Sequence, residues 1–289
     1  MTSFTLLHVS DPHLGHSGGD QRAHQAETAW ASLHAEVARN RPDLVVITGD
    51  LVVDDPDDRA DRALAHARIS ALEAPAYVVP GNHDVGDHTT RSGLPVDWHG
   101  SRVSDARVDA WEATWGPGHW LREHDDWVLL GINAQVLGSG LAAEARQWEW
   151  LELVALPAVS GRPLLVFSHE SLDTRPETEG TVDSWMSIPT EASRRLWAML
   201  EPHRPIAVCA GHTHRHLEWT HGCARGITAP SLSGAIPHRN DMTAAEGDQR
   251  PGWLRYTLDN RTLRVDRVAP GTPTGPAGAA SAPLVSHSI

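Results

Sequence analysis

Phe4-Thr5-Leu6-Leu7-His8-Val9-Ser10-Asp11-Pro12-His13 opens as an apolar, β-branched run and stops at an aspartate and a histidine two residues apart. Phe4–Val9 has the length and composition of a buried strand, and Asp11-Pro12 has the chemistry of a turn. The same event recurs four times. Leu44–Thr48 ends at Gly49-Asp50, Ala76–Val79 at Pro80-Gly81-Asn82-His83-Asp84, Leu164–Phe167 at Ser168-His169, and Ile206–Ala210 at Gly211-His212-Thr213-His214. Trp127–Ile132 is a further apolar run. Between the first two runs, Ala23, Ala26, Trp30, Leu33 and Val37 recur at helical spacing, and Ala60, Ala63, Leu64, Ala67 and Leu72 do the same before the third. Helices are also predicted over Asp105–Trp115, Ala142–Leu156 and Pro189–Leu200, the last with Pro189 at its start, where a missing N–H does no harm. Strands alternating with helices predict an α/β sheet. After Ala210 the pattern changes to Leu217–Thr220, Gly226–Ala229, Trp253–Leu258 and Thr262–Val268, successive strands that suggest an antiparallel portion.

Composition narrows the function. A formal charge of −13 opposes an extended nucleic-acid surface, which needs basic patches to displace counterions from phosphates. No apolar run is long enough to span a bilayer, and the first strand begins too early for a cleavable leader, so a cytoplasmic protein without membrane contact is expected. Two cysteines, Cys209 and Cys223, are too few for a disulfide framework and are expected to be reduced, buried or inert. Every basic residue is Arg, which reads as compositional bias. Thr89–Ser104 and Asp173–Ser184 lack a period and are expected to be long loops. Ala269–Ile289, rich in Pro, Gly, Ala and Ser, is expected to be a disordered tail behind a catalytic domain spanning residues 1–268.

Taken singly, each strand exit has a bland explanation: Asp11-Pro12 is a turn, Gly49-Asp50 a strand exit before a helix cap. Five exits that all carry metal-binding or proton-transferring residues are harder to explain by turn chemistry. In α/β sheets, ligands bind in the crevice beyond the strand C-termini, so the five loops are expected to converge. His212 and His214, alternate residues behind a glycine, are the strongest single fragment. His16, His88, His99 and His238 lie in loops and are expected to be solvated.

As a series, D-x-H, G-D, G-N-H-D, a lone H and G-H-x-H from Asp11 to His214 resemble the calcineurin-like metallophosphoesterase superfamily. The resemblance implies a four-layer α/β/β/α sandwich of two mixed sheets flanked by helices. By matching position, it implies one divalent cation on Asp11, His13, Asp50 and His214 and a second on Asp50, Asn82, His169 and His212, with Asp50 bridging. Two carboxylates, four imidazoles and an amide without a thiolate suit Mn, Fe, Co or Zn. Such a pair holds a hydroxide at neutral pH for in-line attack at phosphorus. With Asn82 a ligand, His83 is assigned as the acid that protonates the leaving group or stabilises the equatorial oxygens. Asp84 is expected either to orient a neighbour or to cap a helix.

Departures from known branches narrow the substrate. The protein serine/threonine phosphatase pattern G-D-x-V-D-R-G is absent, and Val53 stands where purple acid phosphatases have a tyrosine. The first three blocks look most like the class III cyclic-nucleotide phosphodiesterases and their bacterial relatives. Ser168-His169-Glu170-Ser171 replaces the His-His-Pro-Pro common in that group. Ser184–Leu200 is reminiscent of a branch that includes phosphoprotein phosphomonoesterases. The expected activity is a phosphodiesterase on cyclic nucleotides or other small diesters, acting as a monomer or homodimer. The alternatives are a phosphomonoesterase and a non-catalytic scaffold like the retromer-type relatives.

Overall fold

The computed structural model describes residues 4–15, 21–53, 55–88, 102–172, 187–235 and 247–271. His16, His99, His238, most of the two expected loops and the tail from residue 272 lie outside the described residues.

Period-2 alternation builds the architecture. Strand β1 (Phe4–Val9) pairs parallel with β2 (Leu44–Thr48), and β2 with β3 (Ala76–Val79). Leu7, Val9, Val45, Ile47 and Val78 face one way and pack on helices α1 (Gln21–Asn40) and α2 (Arg59–Ser70), while Leu6, Leu44, Val46 and Val79 face the other. Helix α1 buries Ala29, Trp30, Leu33 and Val37 on the sheet, an i, i+3, i+4 stripe that follows the sequence pattern. After β3 come a one-turn helix α3 (Asn82–Val85) and α4 (Asp105–Trp115), capped by the Ser104 side chain. Strands β10 (Trp253–Asp259) and β11 (Thr262–Val268) close this sheet antiparallel, giving the order β11-β10-β1-β2-β3.

The second sheet has the order β4-β5-β6-β7-β9-β8: β4 (Trp120–His124), β5 (Trp127–Gly131), β6 (Leu164–Phe167), β7 (Ala207–Ala210), β8 (Leu217–His221) and β9 (Ala224–Thr228). Strands β5, β6, β7 and β9 run parallel; β4 and β8 pair antiparallel at the edges. Leu129, Leu165, Phe167, Cys209 and Ile227 meet the first sheet, whereas Val128, Leu130, Val166 and Val208 meet helices on the outer face. Those helices are α5 (Ala142–Trp150), continuing through a π turn at Leu151–Ala155 into α6 (Leu156–Val159), and α7 (Thr190–Leu200). The result is the expected sandwich of two mixed sheets between helical layers.

Two local features depart from the sequence reading. The strand β4 has no sequence signature, because Leu-Arg-Glu-His sits on an edge with its middle residues exposed. The single helix expected over Ala142–Leu156 is interrupted by the π turn just before Pro157, whose ring nitrogen has no hydrogen to give. Both cysteines are free, Cys209 buried and Cys223 exposed.

One polar side chain crosses the inter-sheet core. His8 is fully buried, with Nδ1 2.8 Å from the Tyr256 hydroxyl and Nε2 2.9 Å from Thr48 Oγ1. Burial lowers its pKa from 6.5 to about 3, so it is neutral in the folded protein at neutral pH. A histidine whose folded pKa is depressed contributes full stability above its unfolded pKa and loses it as pH falls below that value. In metal-free protein, His8→Gln is therefore expected to lose less stability on acidification. The gap between wild type and variant should shrink by about 2 kcal/mol between pH 7 and pH 5, read from urea midpoints. Parallel pH profiles would show that His8 does not set this dependence.

Candidate metal centre

The C-terminal exits of β1, β2, β3, β6 and β7 meet at one edge where the sheets face each other. The backbone turns there are unusual. Among the described residues, ten non-glycine residues have positive φ, and five of them are Asp11 (50°), His13 (45°), Asp50 (52°), His212 (63°) and His214 (51°). Left-handed backbone is costly for residues with a Cβ and gathers at functional sites. Here it has a geometric use: in both Asp11-Pro12-His13 and His212-Thr213-His214 the outer residues are left-handed, and all four side chains turn into the same paired cluster of ligands.

Close backbone approach explains two glycines. A Cβ on Gly81 would lie 2.2 Å from Asp50 Oδ1, and one on Gly211 would lie 1.7 Å from Ser10 Oγ and 2.8 Å from Asp11 Oδ2. Any larger residue would push the carboxylates out of place.

Two groups of ligating atoms result, each within 4.8 Å of one another: Asp11, His13, Asp50 and His214, and Asp50, His169 and His212. Asp50 belongs to both. Asn82 joins the second group, its Oδ1 lying 3.1 Å from His169 Nε2, which is also 3.1 Å from His212 Nδ1. All seven residues expected from the sequence are thus brought together.

Proton placement shows that the groups fit cations. His214 Nδ1 donates to the Gly234 carbonyl at 2.6 Å, His169 Nδ1 to the Thr48 carbonyl at 2.7 Å, and His13 Nδ1 is shared by the carbonyls of Val52 and Val53 at 3.3 Å each. A carbonyl cannot donate, so these rings carry a proton on Nδ1 and face inward through Nε2. Yet Nε2 of His13 and Nε2 of His214 face each other at 3.2 Å, and Asp11 Oδ1, buried without a hydrogen-bond donor, lies 3.3 Å from the latter. Lone pairs facing one another repel unless a cation lies between them.

A family model described as calcineurin-like phosphoesterase matches residues 4–216. The chain belongs to this family. It is 35% identical over 284 residues to a protein of Arcobacter nitrofigilis named "Probable glycerophosphodiester phosphodiesterase", covering 94% of this chain and 95% of that one. It is 28% identical over 144 residues to a "Probable cyclic nucleotide phosphodiesterase" of Moraxella catarrhalis, covering 47% of this chain and 46% of that one. A solved dimetal phosphatase from Danio rerio shares the fold, with a TM-score of 0.58 at 14% identity over 91% of this chain and 95% of that one. This phosphoesterase thus carries two clusters of Asp and His residues that could hold metal ions, and no helix among its described residues is long and apolar enough to cross a membrane.

The electrostatics of the phosphoesterase site follow from burial and mutual contact. Burial alone would raise the carboxyls of Asp11 and Asp50, but His214 beside the first and His169 beside the second hold both below the usual range and ionised. Burial pushes His13 well below 6.5, with the neighbouring His83 acting in the same direction. His169 goes the other way: although burial opposes it, Asp50 raises it to about 10. With no cation present, Asp50 thus draws a proton onto His169 Nε2, 3.4 Å from its Oδ1.

His83 lies at the rim. Its side chain is 21% exposed against 2% for Asp50, its backbone N–H donates to Asp50 Oδ1 at 3.0 Å, and its ring stands edge-on to His13 at 4.7 Å between centroids. Asp84 fills both of its expected roles. Its Oδ2 accepts from Gly81 N at 2.8 Å, capping α3, while Oδ1 accepts from Leu51 N at 3.0 Å and Val52 N at 3.2 Å, fixing the loop that carries Asp50.

Some contributors escaped sequence reading. Backbone carbonyls of Thr48, Val52 and Gly234 orient three imidazoles, and Ser231 Oγ donates to the Asp11 carbonyl at 2.9 Å. Carbonyls carry no residue-type signal, so no motif marks them. His88, expected to be solvated, is buried and lies 2.9 Å through Nε2 from Glu170 Oε2.

Proposed function

We propose that Asp11, His13, Asp50 and His214 hold one divalent cation, that Asp50, Asn82, His169 and His212 hold the second, and that the chain hydrolyses small phosphodiesters. The observation that supports this most is the pair of ligand groups sharing Asp50, with imidazole lone pairs turned inward. Borderline and hard divalent ions suit these donors, so Mn, Fe, Zn and Co are the candidates. Two such cations would supply a hydroxide nucleophile at neutral pH and neutralise the charge on phosphoryl oxygens.

The chain's own residues do the rest. Asp50 and Asp11, kept ionised, provide the negative charge of the site; with cations bound and the His169 proton displaced, four neutral imidazoles and an amide would complete it without adding more. His83, at the rim and bonded through its backbone to Asp50, is placed to hold or deliver a proton at the leaving-group oxygen. A glycerophosphodiester is the favoured substrate, because the relative that matches almost the whole chain is named as a phosphodiesterase of that class. Cyclic nucleotides are the second diester class, supported by a relative matching half of it.

Parallel assays after Mn(II) loading test the reading, using glycerophosphoethanolamine, bis(p-nitrophenyl) phosphate and p-nitrophenyl phosphate. Both diesters are expected to turn over with kcat/KM about tenfold or more above the monoester, a difference of about 1.4 kcal/mol in transition-state binding. A faster monoester would favour the phosphomonoesterase alternative.

A further inference from the structure

Glu170 stands where the sequence departs from the His-His-Pro-Pro block, and the contacts it makes give it a role. It is fully buried, directly follows His169, and accepts at Oε2 from His88 Nε2 at 2.9 Å and at Oε1 from Gln135 Nε2 at 3.1 Å. Its own carbonyl accepts from Ser168 Oγ at 2.7 Å, which tightens the turn holding His169. His88 lies three residues beyond α3, the turn that carries Asn82 and His83. Gln135 belongs to the exit of β5, where Asn133 is pinned by Gln147 through bonds of 2.9 and 3.0 Å.

The carboxylate therefore joins three strand exits drawn from both sheets. The junction matters because Asn82 comes from the first sheet and His169 from the second, yet they must stand 3.1 Å apart. Among the described residues, His88 with Glu170 is a direct side-chain pair between the chain after Asn82 and the chain after His169.

We propose that Glu170, tied to His88 and Gln135, is a positioning residue that sets the spacing of Asn82 and His169 across the two sheets and so tunes the affinity of the second cation group. It would neither touch substrate nor ligate metal. The proposal rests on the two-cation reading above. Groups that hold the partners of metal ligands in place commonly change metal affinity by about 10–100-fold when replaced.

The test is titration of the metal-free full chain with Mn(II), with free ion counted by its paramagnetic resonance signal, for wild type, Glu170→Gln and His88→Gln. Wild type should take up two ions. Each variant should bind the first ion within about twofold of wild type and the second about tenfold more weakly. Thermal unfolding of the metal-free proteins shows whether each variant is folded, and His88→Gln keeps the test alive if Glu170→Gln is not. Wild-type affinity at both groups, or equal weakening of both, overturns the positioning role. A wild type that binds no Mn(II) overturns the two-cation reading, and this proposal with it.

Discussion

Asp50→Asn is expected to lower kcat/KM by about 10³-fold or more and to leave the protein unable to hold two cations at once, since a shared metal pair stabilises the transition state by several kcal/mol. The effect should exceed that of losing any single imidazole. Asp50 alone belongs to both groups, with Oδ1 3.4 Å from His169 Nε2 and Oδ2 3.8 Å from His13 Nε2. Its Oδ1 also accepts from the His83 backbone, so the amide would disturb the rim as well. Asparagine keeps the shape and removes the charge. Metal content and turnover measured on one sample separate the outcomes: loss of both supports the bridge, whereas two retained ions with near-normal rates would remove Asp50 from the centre.

His83→Ala should behave differently. It is expected to keep both cations and to lose about 10²–10⁴-fold in kcat on diesters with alkyl leaving groups, the range for removing a general acid. Diesters of p-nitrophenol, whose departing oxygen needs little protonation, should lose far less. This contrast tells a proton donor from a ligand. His83 Nε2 is 3.8 Å from Asp50 Oδ2, close enough for the ring to feel the site yet on its exposed side. Loss of metal in the variant would instead make His83 part of the metal shell, and equal losses on both substrate types would make it an electrostatic clamp.

Much of this centre is legible in the linear chain because its donors sit at the ends of parallel strands, where an apolar, β-branched run stops abruptly at Asp, Asn or His. The strand ends Val9, Thr48, Val79 and Phe167 agree with the sequence reading to the residue. What could not be read depends on contacts between distant segments. Gly234 orients His214 from twenty residues away, and Thr48 orients His169 across the sandwich, through carbonyl groups that every residue possesses. His88 looked like one loop histidine among several because its partner, Glu170, lies 82 positions along the chain. The strand β4 escaped because an exposed edge does not require an apolar face.

The left-handed turns are a middle case. Asp and His tolerate that region better than most residues, so nothing in Asp11-Pro12-His13 demands it. Once the flanking bonds Asp11 N to Gly49 O, 3.2 Å, and His13 N to Asp50 O, 3.0 Å, are seen, the conformation follows: the exit of β1 is laced to the exit of β2. Strain of order 1–3 kcal/mol per residue is held there by such bonds.

Two cations acting together on a phosphodiester are the centre of the proposed mechanism. The direct test is hydrolysis of bis(p-nitrophenyl) phosphate as metal-free protein is titrated with Mn(II). Activity should be negligible without metal, rise with added ion and level off at two equivalents per chain. Full activity in the presence of a chelator, or saturation at a single equivalent, would contradict it.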